Sequence, residues 1–164
     1  MNKITTVFVM LLIAVSLSAG QSDSQNSAAA KPVSDYSGMY TFLKEGEFVQ
    51  LTIEDDGRVT GFVSRFGDLE SDRDAVLEQF FKTAKLESNK LTFTTETVHG
   101  TWYDFKGTIV RGEGKNRGDE AYYALKGTLA QHVTDANNKT LSKSRAVEFK
   151  SFPQDIDSTP GKRD

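Results

Sequence analysis

Between residues 49 and 64 apolar and polar side chains change places at almost every step, and that two-residue rhythm constrains the fold more than any other feature of the chain. Val49, Leu51 and Ile53 alternate with Gln50, Thr52 and Glu54, the pattern of a strand with one buried face. Asp55, Asp56, Gly57 and Arg58 follow, and an Asp-Gly pair supplies the positive φ angles of a tight hairpin. The chain returns with Val59, Gly61 and Val63 alternating with Thr60, Phe62 and Ser64. An earlier strand over 38–43, joined through Lys44, Glu45 and Gly46, gives the start of an antiparallel meander.

The rhythm changes at Ser71. Ser71, Asp72, Arg73 and Asp74 resemble a capping box, with the serine hydroxyl on a first-turn amide and the acid three residues later reaching back. Val76, Leu77, Phe80, Phe81 and Ala84 then recur at helical spacing, with Arg73, Glu78, Lys82 and Lys85 on the other faces, which predicts one amphipathic helix over about 72–84. Glu78 and Lys82 stand four apart in the favourable order.

Four further runs, 90–98, 101–111, 121–133 and 144–152, are rich in the Thr, Phe, Tyr and Val that suit a pleated surface. Phe105-Lys106-Gly107-Thr108-Ile109 is echoed by Leu125-Lys126-Gly127-Thr128-Leu129. The echo suggests equivalent strands, each with a glycine where a sheet bends or a backbone approaches closely. The whole predicts a mainly β fold: an antiparallel meander barrel, or a strongly coiled sheet, of 7–8 strands with one helix capping an end. A barrel of eight strands either fills with side chains or holds one small ligand.

The 164 residues suit one domain. Lys3, the apolar run 7–17 and the small residues Ser18, Ala19 and Gly20 have the layout of a secretory signal peptide over 1–20. The run is too short to span a bilayer, which needs about 20 apolar residues. Gln21 stands where a lipoprotein needs cysteine, so no lipid anchor is expected. Residues 21–34 carry no hydrophobic period and read as a disordered tether, residues 35–152 as the β domain, and 153–164 as a disordered tail. The expected location is periplasmic or secreted.

With 20 basic against 23 acidic residues and a net charge of −3, the chain lacks the cationic excess that nucleic-acid backbones demand. Cysteine is absent and histidine is limited to His99 and His132, which removes disulfides, thiolate nucleophiles and multi-histidine metal centres.

Two resemblances bear on the meander. Gly100-Thr101-Trp102-Tyr103 matches the Gly-x-Trp motif of the calycin barrels, shared by lipocalins, avidins and fatty-acid-binding proteins; in those the motif lies on the first strand, where this chain has Ser37-Gly38-Met39-Tyr40. Gly46-Glu47-Phe48, Leu51-Thr52-Ile53-Glu54 and Ser71-Asp72-Arg73-Asp74, in that order, resemble a family of small exported bacterial proteins. The first resemblance implies a ligand-holding barrel; the second implies no activity and no catalytic residue.

The remaining motifs point to little chemistry. Asp68, Glu70, Asp72 and Asp74 alternate as oxygen donors for Ca²⁺ would, but Arg73 and Gln79 stand where an EF-hand needs glycine and glutamate. Glu96, His99, Trp102, Tyr103 and Asp104 gather a histidine and carboxylates near a turn, the raw material of proton transfer, without an adjacent nucleophile. His132 reads as solvent-facing. The glycine-rich stretch 111–120 fits neither nucleotide fingerprint, because a strand rather than a helix follows. Arg117-Gly118-Asp119, the integrin tripeptide, and Asn138-Lys139-Thr140, a glycosylation sequon, have no reader on a bacterial export route.

The expectation is therefore an exported, lipocalin-like binding module for a small apolar or amphipathic ligand, without catalysis, cofactor or metal. Phe48, Phe62, Trp102, Tyr103, Phe105, Tyr122 and Tyr123 are the candidate ligand-binding side chains. The alternative is an envelope interaction protein with a solid core, acting through its loops at 65–70 and 111–120. Oligomeric state is not legible, and neither nucleic acid nor a membrane span is expected.

Overall fold

A computed structural model, which describes residues 33–154 apart from Leu69 and Ser71, is one antiparallel sheet whose eight strands follow chain order. They are β1 (Gly38–Thr41), β2 (Phe48–Ile53), β3 (Val59–Phe66), β4 (Val76–Glu87), β5 (Lys90–Thr95), β6 (Thr101–Arg111), β7 (Tyr123–Thr134) and β8 (Thr140–Lys150). A 3-10 turn at Val33–Tyr36 leads into β1. The expected signal segment, most of the tether and the tail beyond 154 lie outside the described residues. No helix among the described residues is long and apolar enough to cross a membrane.

The meander is as the alternation predicts. Gly57 takes φ 82° in the β2–β3 turn, its amide donating to the Glu54 carbonyl at 2.9 Å while the Glu54 amide donates to Arg58 O at 2.9 Å. The sheet curls into a half-barrel until its first and last strands touch at one corner. There Tyr40 bridges Ser151, the Phe152 amide donates to Met39 O at 2.8 Å and the Lys150 amide to Thr41 Oγ1 at 2.9 Å.

The sequence echo has a direct structural meaning. Its two copies pair with each other about a central glycine couple: Phe105 faces Leu129, Gly107 faces Gly127 and Ile109 faces Leu125. A Cβ on Gly127 would lie 2.4 Å from Lys106 O and 2.5 Å from the Gly107 Cα. Only glycines allow β6 and β7 to approach this closely, and the sheet turns over them.

Curling brings the inner faces together around a filled core. Val49, Leu51, Val63, Leu91, Tyr103, Phe105, Ile109, Leu125, Leu129 and Phe149 are at most 2% exposed. Phe81, Phe93 and Phe105 stack in series with centroids 4.4 and 5.2 Å apart. Burying each such side chain contributes about 1.5–3 kcal/mol before entropy. Burial also pushes the Tyr103 phenol up to about 12 and raises that of Tyr40, whose hydroxyl donates to Tyr36 O at 2.7 Å.

The helix expected over about 72–84 is not formed; residues 76–87 are the long strand β4. The physical reason is a β-bulge. Phe81 pairs with Thr95 but Thr83 pairs with Thr94, so Lys82 is an extra residue that reverses the inward phase. Leu77, Gln79 and Phe81 turn inward before it and Ala84 and Leu86 after it. Two offset strand halves thereby imitate a helical period. Gln79 hides the pattern further, being a polar residue on the buried face. Fully buried, it accepts from Arg65 Nε at 2.6 Å and donates to Thr101 O at 2.7 Å and Glu96 O at 3.2 Å. The expected capping box gives way to a turn in which the Ala75 amide donates to Asp72 O at 3.0 Å.

Candidate functional site

On a strand, residues two apart share a face, and the register assigns every outward side chain of β4–β8. Thr83 and Lys85 of β4 stand beside Thr94 and Thr92 of β5. These meet Asp104 and Lys106 of β6, followed by Ala130 and Thr128 of β7. The twist of the sheet hollows this face into a groove of about 350 Å³ lined by those residues. A second hollow of about 540 Å³ shares Lys85, Thr92, Lys106 and Thr128, and adds Lys90 and Lys126. The lining exposes more carbon than nitrogen or oxygen, because threonine methyls, alanine and lysine stems make up much of it.

The charges are unequal. Lys85 pairs with Glu87 at 2.6 Å and Lys126 with Glu148 at 3.1 Å, and its partner holds the Lys85 ammonium pKa above the ordinary lysine range. Lys106 and Lys90 have no carboxylate within ion-pair distance among the described residues. The groove thus combines an apolar floor with unneutralised ammonium groups.

At the Asp104 end a polar chain crosses the sheet. Asp104 accepts from the Thr94 hydroxyl. Its Oδ2 lies 2.9 Å from His132 Nε2, at ion-pair distance but without the alignment of a linear hydrogen bond, and that nitrogen is shut off from solvent. His132 Nδ1 is 2.7 Å from Ser142 Oγ on β8. The tautomer protonated at Nε2, beside the carboxylate, is the one that leaves Nδ1 to accept from the serine hydroxyl. The Trp102 ring stacks on the imidazole, 4.8 Å between centroids and 11° from parallel, and fixes its plane.

The candidate residues from sequence are dispersed over both faces. Phe48 and Phe62 meet on the outer face of β2 and β3, 5.9 Å apart, and Phe80 extends the row at 5.5 Å from Phe62. Tyr103 and Phe105 are core residues. Tyr122 carries the Arg111 guanidinium 3.4 Å above its ring, and Tyr123 is buried edge-on against Tyr36 at 5.0 Å. Trp102 stands next to the groove, two residues from Asp104 on the same face.

The His99 neighbourhood separates. His99, at φ 49° in the turn before β6, contacts the buried Asp72 carboxylate, whereas Asp104 belongs to His132. His132 is correspondingly not the solvent-facing residue expected, with only 18% of its side chain exposed. Ser142 and Thr94 carried no sequence signal; only the strand register puts them on either side of Asp104 and His132. Of the alternating acids, Asp68 is held by Lys44 at 2.8 Å and by Arg65 at 3.5 Å. In the 111–120 loop, the Asp119 carboxylate accepts from the Lys115 and Asn116 amides at 3.0 and 2.8 Å. No protein-family model matches the chain, and no curated protein or solved structure matches it either.

Proposed function

We propose that this chain is an exported binding module that holds an amphipathic anion against the outer face of its sheet. One observation carries the reading: the groove over β4–β7 joins a carbon-rich floor to ammonium groups, of which Lys106 has no ion-pair partner among the described residues. The filled inner face supports it too, since the side chains there leave the ligand the outer surface. An alkyl chain gains about 0.8 kcal/mol for each methylene it buries, and the lysines select the anionic head. Titration calorimetry with dodecanoate tests this. Lys106→Glu should weaken binding at least tenfold, and the same charge change at Lys139, in the distant β7–β8 turn, should leave it unaltered. Equal affinity of wild type and Lys106→Glu overturns the reading.

A second reading rests on the contact of Ser142, His132 and Asp104. The order hydroxyl, imidazole, carboxylate is that of acyl transfer to serine. Ser142 Oγ would attack an ester carbonyl, its proton passing to His132 Nδ1 and then to the departing alkoxide; water would release the acyl group by the reverse route. Covalent labelling by a fluorophosphonate probe tests it: modification at Ser142, slowed at least tenfold by His132→Ala, supports this chemistry, and an unlabelled Ser142 excludes it.

A further inference from the structure

The last strand ends the sheet with an open edge. Backbone direction alternates along β8, and its parity is fixed by observed bonds. Ser151 donates inward to Tyr123 O at 2.9 Å, whereas Lys150 and Phe152 donate outward, to Thr41 Oγ1 and Met39 O. Counting back by twos, the amides and carbonyls of Ser142, Ser144, Ala146 and Glu148 point out of the sheet. β1 reaches only as far as the Tyr40–Ser151 bridge, and among the described residues nothing pairs with this edge. Every side chain over 140–146 is exposed, so the strand stands clear on both faces.

We propose that this edge is a binding site for an extended acidic peptide segment, which adds to the sheet as a ninth strand. Main-chain hydrogen bonds from such a segment would satisfy the four outward pairs of groups. The acidic character follows from Lys143 and Arg145, which share one face of β8. Their cross-strand neighbours are the neutral Gln131 and Leu129, and neither cation has a carboxylate within ion-pair distance among the described residues. Carboxylates at alternate positions of an incoming strand would meet both. A second copy of the chain is the poorer occupant, because antiparallel self-pairing brings these cations against their own equivalents; charged edges oppose self-association in this way.

The test uses an acetylated, amidated nine-residue peptide of alternating threonine and glutamate, followed by amide NMR of the full chain. Binding should shift the amides of Ser142, Ser144, Ala146 and Glu148. Ser144→Pro removes one outward amide without touching a bond to β7 or any charge, and should weaken binding at least tenfold. The double variant Lys143→Glu, Arg145→Glu should do the same. The peptide N-methylated at alternate residues, added to wild-type protein, repeats the backbone test without a mutation. Unchanged affinity for the methylated peptide or for Ser144→Pro would reduce the contact to charge attraction and overturn strand addition. So would no shift at millimolar peptide. A dimer of the chain, abolished by Ser144→Pro in sedimentation, would assign the edge to a second copy and likewise overturn the proposal.

Discussion

Replacing Gln79 with leucine is a small change in volume with a large expected cost. The wild-type side chain is fully buried and makes three hydrogen bonds, one of them the 2.6 Å contact to the guanidinium of Arg65, itself 4% exposed. Leucine strips the Arg65 Nε–H of its partner and leaves the Thr101 and Glu96 carbonyls without these donors. A buried group left unsatisfied costs about 1–3 kcal/mol. Arg65 keeps its bond to Phe66 O at 3.0 Å and its ion pair with Asp68 at 3.5 Å, so the loss comes from the Nε–H and the two carbonyls that lose a partner, about 3–5 kcal/mol in all, a large part of the roughly 5–15 kcal/mol of a typical domain. With a urea m value of about 2 kcal/mol/M, the unfolding midpoint should fall by about 2 M. Adding Arg65→Met should recover part of the loss, because the unsatisfied Nε–H is then gone. If residues 72–84 were instead an amphipathic helix, Gln79 would lie on its polar side and the substitution would cost within about 0.5 kcal/mol. A midpoint shift under about 0.3 M would therefore refute both the buried network and the strand that builds it.

Gly127→Ala should destabilise the domain by about 1–3 kcal/mol, measured by urea unfolding, because its methyl meets Lys106 O and the Gly107 Cα on the facing strand; an unchanged midpoint would remove the crease from the account. Stability should hold below pH 10 and decline between pH 10 and 12. In that window the unfolded chain releases phenolic protons that Tyr40 and Tyr103 retain when folded, at about 1.4 kcal/mol per pH unit for each tyrosine; urea midpoints across that range check the slope, and Tyr103→Phe should reduce it.

Much of the architecture is legible wherever one strand face is buried without interruption. Val49, Leu51 and Ile53, the Asp56-Gly57 turn and the return through Val59 and Val63 need only local chemistry to be read. The glycine echo is legible as two related strands, though not as strands that pair with each other. β4 escapes because its signal is broken twice, by the bulge at Lys82 and by a buried amide at Gln79 whose partners, Arg65 and Thr101, are distant in sequence. The candidate site escapes for a different reason. Asp104, His132 and Ser142 come from three strands, and their meeting depends on cross-strand register, which spacing along the chain does not encode. The same holds for Lys85, Lys106 and Lys126, which read singly as surface charges and collectively line one groove.

The filled core and the outer groove make opposite demands on where a ligand is found, and intermolecular nuclear Overhauser contacts to bound dodecanoate separate them. With the ligand in the outer groove, the alkyl protons should contact the methyls of Thr92, Thr94, Thr128 and Ala130, with the methyls of Leu91, Leu125 and Leu129 silent. Contacts to those leucines, with the threonines undisturbed, would place the ligand inside the curled sheet and contradict binding in the outer groove.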